Sequence, residues 1–420
     1  MTGPITLFDK SFLQSLSVDE SVWFDHFFLT NICPLFYVET LADLGKSGQD
    51  DRTPEQEVEQ IADKFPQMHG MPSEYHIELC AGDLAGNSTP MTGQIPLSGG
   101  RVVKVGGRAA AVYDQSEEAQ AFLRWQDGEF REIERRFAQA WRSELSAINL
   151  QEVQKAFQAL GIDAKTCKTL EEAKILAEQI VANSAAHGIP MALSTLHIPT
   201  KYHADIQRIW AEANFPSIVD YAPYAAHVLT IEMFFRIALA ANLISSGRPS
   251  NRIDVAYLFY LPFCMMFVSS DKLHRRTTPL FLRDDQLFVW GPELKTNLAE
   301  INSYFLQQPG GLTEKGLYSF TDEPPRVGNC LVSDLWQRLL PGLAKATGTK
   351  TARKPLESPP TVEEIKAWKE ATPLSPEEMD FDPQDTSRFV LERKVRMKRG
   401  SWYQIPKSFK APGDQPEQPD

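Results

Sequence analysis

The chain has 420 residues and a net charge of −12, from 43 basic and 55 acidic side chains; 42% of its residues are hydrophobic and 23% charged. This describes an ordinary globular protein with room for a large core and more than one domain. The acidic balance excludes a protein that coats nucleic acid along its whole surface, though not an enzyme that meets phosphates in one local groove.

Residues 4–8 read as an apolar strand ending at Asp9. A helical turn over 11–16 and a helix over 19–29 follow, the helix with Val22, Trp23 and Phe27 on one face. The apolar run 32–38 reads as a second strand, with Glu39 at its end opening a helix that Gly45 stops. From residue 46 the texture changes: 68–107 is rich in Gly, Pro and Ser, and 97–112 carries glycine pairs that suggest a hairpin. Helices are expected over 116–148, 150–160, 170–183, 204–213 and 223–244. The first pattern then returns, with a helix over 254–261 stopped by Pro262, a strand over 264–269 just before Asp271, a strand over 286–290 and a helix over 293–306. Beyond 309 the chain is loop-rich, with linkers at 350–360 and 372–384 around a short helix at 362–369 and a disordered end at 411–420. The most apolar stretch, 228–244, contains Glu232 and Arg236 and so reads as a buried or amphipathic helix rather than a membrane span.

Cys33, Cys80, Cys167, Cys264 and Cys330 form no Cys-x-x-Cys pair and read as free buried thiols in a reducing compartment. Residues 1–10 show no positive region followed by an apolar run, so they are not expected to act as a secretory signal. A cytoplasmic protein with no membrane partner is expected. His69, His76 and Cys80, like His187, His197 and His203, lack a zinc spacing.

Four carboxylates share a topological property. In an open parallel sheet, ligands bind above the carboxyl ends of the strands. Asp9 and Glu39 follow strands, Asp254 opens a descending helix, and Asp271 follows the strand that climbs back. A helix of this size falls ~12 Å at 1.5 Å per residue, and a strand of about five residues climbs ~16 Å. The two paths nearly cancel, so Asp254 and Asp271 return to one edge. Four acids there repel one another unless a cation such as Mg²⁺ or Mn²⁺ joins them. Capping and turn chemistry explains any one of these residues alone; the joint pattern favours a metal site.

These segments resemble PIN-like nuclease domains. Ile5-Thr6-Leu7-Phe8-Asp9-Lys10-Ser11 is similar to their opening strand, where Ser, Thr or Asn lies two residues after an Asp. Phe36-Tyr37-Val38-Glu39 resembles their second acidic site, and Ile253-Asp254-Val255-Ala256-Tyr257 the third. Phe267-Val268-Ser269-Ser270-Asp271-Lys272 is similar to the fourth, with a hydroxyl residue two before the Asp. The resemblance implies a three-layer α/β/α sandwich around a mostly parallel sheet, and metal-dependent phosphodiester hydrolysis, of RNA more often than DNA, leaving a 5′-phosphate. It implies that Asp9, Glu39, Asp254 and Asp271 are catalytic and hold Mg²⁺ or Mn²⁺, with Ser11 and Ser269 hydrogen-bonding the carboxylates or their waters. Asp43 would share the helix face of Glu39, and an exposed helical Asp is the plainer description.

The core would be discontinuous, residues 1–45 plus 250–308, split by a mainly helical insertion over 46–249 that has no counterpart in compact PIN domains. A loop-rich extension over 309–420 would carry a basic strand-like segment at 390–405. Two basic groups are candidates for gripping phosphate: Lys272, His274, Arg275 and Arg276 after the fourth acid, and Arg393, Lys394, Arg396, Lys398 and Arg399 before Trp402 and Tyr403. A solvated charge cluster and a charged edge strand compete with that view. A nuclease cutting RNA in preference to DNA is the leading expectation. A non-catalytic PIN-like scaffold, with the insertion binding a protein partner, is the alternative, and a toxin-like or defence nuclease a third possibility.

Overall fold

In the computed structural model, residues 3–46, 52–184, 187–308, 311–326, 330–341, 361–374 and 389–409 are described. The strands are β1 (Ile5–Phe8), β2 (Leu29–Ile32), β3 (Gly70–Pro72), β4 (Gly100–Val105), β5 (Arg108–Tyr113), β6 (Met266–Ser269), β7 (Leu287–Trp290), β8 (Phe389–Leu391), β9 (Lys398–Arg399) and β10 (Trp402–Tyr403). Five of them make the central sheet, in the order β3-β2-β1-β6-β7, and every pairing in it is parallel. β1 is its middle strand, so all four of its side chains are buried. A continuous apolar run is what a strand covered on both faces requires.

The first helices are α1 (Lys10–Ser15), α2 (Val18–Phe27), α3 (Pro34–Ala42), α4 (Pro54–Ala62), α5 (His76–Leu84), α6 (Glu117–Gln126), α7 (Glu132–Ala147), α8 (Leu150–Ala159) and α9 (Leu170–Ala182). There follow α10 (Gly188–Thr195), α11 (His203–Glu212), α12 (Ile218–Tyr221), α13 (Pro223–Ala240), α14 (Asn251–Ala256), α15 (Lys272–Phe281), α16 (Gly291–Leu306) and α17 (Leu331–Leu339). The molecule is α/β, with helices flanking a parallel sheet in a manner consistent with an α/β/α layout.

Several expectations are corrected. The second strand ends at Ile32, and the run expected to continue it to Val38 is helical. Pro34 occupies the first turn of α3, where its missing N–H costs nothing and its fixed φ suits a helix. The helix expected over 116–148 breaks in two at Gly128, which has φ +71°. Pro262 does not stop a helix over 254–261: α14 ends at Ala256, and the 3₁₀ run Tyr257–Phe263 contains Pro262. The sheet also crosses the expected domain boundary, since β3 comes from residues 46–249. One hydrophobic cluster joins Leu7 and Phe267 of the sheet to Ala177 of α9 and Phe234 of α13.

The hairpin of β4 and β5 turns through Gly106 and Gly107, both at positive φ, as a two-residue turn with the twist of its strands requires. With β8 and the helix Val362–Glu370 it encloses a small separate cluster of Val103, Ala110, Val112 and Trp368. The linker expected at 350–360, most of that at 372–384, and the end at 411–420 lie outside the described residues. All five cysteines are free and buried. No helix among the described residues is long and apolar enough to cross a membrane; α13 is instead a buried helix, whose Glu232 pairs with Arg252 of α14.

Candidate active site

Because the sheet is parallel, the segments after its strands emerge at one edge. Asp9 follows β1 and caps α1: its Oδ1 accepts the N–H of Phe12 at 3.0 Å. Its Oδ2 accepts hydroxyl hydrogen bonds from Ser11 at 2.5 Å and from Ser269, the last residue of β6, at 2.9 Å. Asp271 follows β6 and caps α15, its Oδ1 accepting the N–H of Leu273 at 2.6 Å. Both acids therefore do the capping work that short polar residues do at helix starts, each through one oxygen. No hydrogen bond engages Oδ2 of Asp271 among the described residues.

His274, in the first turn of α15, lies at the centre of this group and is 1% exposed. Its Nδ1 stands 2.8 Å from Ser269 Oγ and 3.6 Å from Asp9 Oδ2, and its Nε2 is 2.6 Å from the backbone carbonyl oxygen of Asp254. That carbonyl only accepts, so Nε2 carries hydrogen. Ser269 Oγ donates to Asp9 and already accepts the N–H of Asp271 at 2.9 Å, so Nδ1 is best served by carrying hydrogen too. The hydrogen bonds thus describe an imidazolium. Burial alone would lower the pKa of His274, but Asp9 and Asp254 overcome this and raise it to about 9. Burial likewise favours the neutral form of Asp9, and the adjacent His274 with the Ser11 and Phe12 hydrogen bonds outweighs it, leaving the carboxyl below its ordinary value.

Asp254 lies in the first turn of α14. Its carboxylate makes no hydrogen bond or ion pair among the described residues. Burial raises its pKa to about 7, with Glu39, Asp271 and Asp9 adding repulsion and His274 opposing. Glu39 stands within α3 rather than at a strand end. Tyr257 donates its phenolic hydrogen to Glu39 Oε2, and burial raises the Glu39 pKa against the pull of Lys10 and of that hydrogen bond. Lys10 reaches the Glu39 carbonyl at 3.1 Å and Asp43 Oδ2 at 2.5 Å. Asp43 is 2% exposed and paired with both Lys10 and Lys46, which corrects its description as an exposed helical acid.

The four acids thus converge on one sheet edge and feel one another's charge. Among the described residues, no three His, Cys, Asp or Glu side chains form a ready metal cage. The donors are nonetheless of the right kind for Mg²⁺ or Mn²⁺, which take carboxylate oxygens, keep several waters and need only one or two protein carboxylates beside a substrate phosphate. The carboxylate of Asp254, which has no hydrogen bond or ion pair among the described residues, and Oδ2 of Asp271 fit that requirement.

The basic candidates divide. Lys272, Arg275 and Arg276 are exposed along α15, Arg275 lying over the Trp290 ring at 4.8 Å. His274 is not a phosphate grip, because both its nitrogens are engaged inside the cluster. Arg399 is not one either: its guanidinium is buried against Asp25 Oδ2 at 3.2 Å, which also accepts the N–H groups of Gln67 and Met68. Arg393 is spent on the carbonyl of Met68, and Arg396 on Asp127 and Asp63. Lys394 and Lys398 remain exposed. The basic segment is therefore not one long strand but β9 turning into β10, with its arginines tying the C-terminal residues to the core.

Tyr257 and the central role of His274 escaped the sequence reading. Tyr257 meets Glu39 across 218 residues, and no local signal announces such a contact. No family model, curated protein or solved structure matches the chain.

Proposed function

We propose that this chain is a metal-dependent nuclease that hydrolyses phosphodiester bonds, with RNA preferred over DNA. The observation that carries this reading is the convergence of Asp9, Glu39, Asp254 and Asp271 at the carboxyl edge of a parallel sheet, with Asp254 pushed up to about 7 by burial and by its fellow acids. The resemblance to PIN-like domains adds the substrate class. Asp254 and Asp271 would hold Mg²⁺ or Mn²⁺, with Asp9 and Glu39 beside them. Such an ion supplies a water nucleophile near neutral pH and neutralises charge on the phosphate.

The chain's own residues do the rest. Ser11 and Ser269 fix the orientation of Asp9. Tyr257 and Lys10 hold Glu39 in place. His274 keeps the acids from driving one another apart. Lys272, Arg275 and Arg276 on the exposed side of α15 are placed to attract the phosphate backbone.

The test is cleavage of labelled single-stranded RNA, and of DNA of the same sequence, with Mn²⁺. Wild type should cut RNA faster than DNA, and Asp9→Asn and Asp254→Asn should each lose more than about a hundredfold, beyond the effect of losing a supporting partner. Equal rates in wild type and both variants would remove the assignment.

A further inference from the structure

A cavity of about 430 Å³ opens among α5, α7, α8, α13 and α14, and none of the four candidate acids lines it. Its walls are mostly apolar, with Trp141, Leu150, Val153, Val228, Phe235 and Phe259 among them. An apolar cavity of about 150 Å³ accommodates the six carbons of benzene, so this one has room for an aliphatic chain of roughly ten carbons. The apolar surface continues outwards along α7. Phe137 stacks on Trp141 and is 43% exposed, and Ile133, four residues earlier on the same helix face, is 68% exposed.

One charge in these walls has no partner. Arg252 of α14 pairs with Glu232 of α13 at 2.5 Å, and its guanidinium lies over the Phe259 ring at 6.0 Å. Arg236, one turn after Glu232 on α13, is half-buried and makes no hydrogen bond or ion pair among the described residues. Its nitrogens keep accessible surface, so a molecule in the cavity can reach them. Burial works against its charge, while Glu232 supports it and Arg252 opposes it. No other lining group supplies a negative charge: the remaining ionisable ones are His76 and His197, and Cys80 and Tyr75, which burial keeps protonated. Glu232 and Arg252 cancel, and Arg236 leaves the lining with an excess positive charge.

We propose that this cavity binds a fatty-acid-like molecule, an unbranched aliphatic chain ending in one carboxylate, with the tail among the apolar walls and the carboxylate on Arg236. The inference stands apart from the nuclease reading. A guanidinium meets a carboxylate through two parallel N–H···O bonds, and one unpaired cation matches one negative charge. A phosphate monoester carries nearly two charges at neutral pH, and Arg252, the second guanidinium here, is already occupied by Glu232.

Isothermal titration of octanoate, decanoate, decanol and decyl phosphate into the full chain, without divalent metal, tests the site. Decanoate should bind saturably, about tenfold more tightly than octanoate, because two more methylenes leave water. It should also bind about tenfold more tightly than decanol or decyl phosphate. Arg236→Gln should abolish the preference for decanoate over decanol while leaving decanol affinity unchanged. The same variant should melt no lower than wild type, since it strands no partner. Val153→Phe, at a half-buried position of the wall, should weaken decanoate and decanol alike. No saturable decanoate binding, equal binding of decanol, equal or tighter binding of decyl phosphate, or an Arg236→Gln protein that still prefers decanoate would overturn the site.

Discussion

His274 and the acids around it are mutually dependent. Replacing His274 with Ala strips the buried positive charge from beside Asp9 and Asp254, leaving acids that repel and lack a counter-charge. Removing one partner of a buried pair costs about 3–5 kcal/mol, so a melting temperature several degrees lower is expected, and an unchanged one would contradict the imidazolium. Ser269→Ala is milder: it removes one hydrogen bond that orients Asp9, and cleavage should fall by about 10–100-fold with little loss of fold. Histidines buried in the neutral form weaken the fold towards acid: burial lowers the pKa of His76 to about 3 and of His227 to about 4, and His26 joins them. His26 is 6% exposed, its Nε2 donates to the carbonyl of Thr321, and burial lowers its pKa to about 4. The unfolded chain takes up this proton near pH 6.5, before the folded chain does, so stability falls as pH drops from 6.5 towards 4 and levels below that. His26 alone should cost about 2 kcal/mol between pH 7 and pH 5. Urea midpoints at the two pH values measure this, and His26→Gln should reduce the slope by that share, the remainder coming from His76 and His227.

Among the elements, the pair of Asp25 on α2 and Arg399 on β9 fastens the C-terminal residues to the core. Its two halves are unequal. Asp25 also receives three backbone N–H groups, from Gln67, Met68 and His69, so Arg399→Met leaves it still satisfied. Asp25→Ala leaves three amides without their acceptor and the guanidinium without its carboxylate, though it still donates to the Asp63 carbonyl and Ser21 Oγ. Urea unfolding should show a loss of about 3–5 kcal/mol for Asp25→Ala and clearly less for Arg399→Met; the reverse order would show that the ion pair, not the amide cradle, dominates. This pair also marks what the sequence could not disclose. β1 and β6 were legible because central parallel strands are unbroken apolar runs, each here followed by an acid, and β7, at the sheet edge, is likewise a short apolar run. β2 was misplaced because 32–38 is equally apolar as a strand or a helix, and Pro34 at a helix start was the overlooked signal. β3 is three residues in a Gly- and Pro-rich stretch, with no periodicity to read. Arg399 looked like a phosphate contact because its partner lies 374 residues away.

For the molecule as a whole, residues 46–249 are part of the central architecture rather than an appendage. They supply the edge strand β3 and the helices α9 and α13 that continue the core. The acid cluster is either a cation site or a set of helix caps balanced internally by His274, as a non-catalytic scaffold would have it. Calorimetric titration of Mn²⁺ into the full chain, beside Asp254→Asn, separates the two most directly. Saturable binding in wild type that is lost or greatly weakened in Asp254→Asn is the predicted result; no saturable binding in wild type, or equal binding in both proteins, would contradict it.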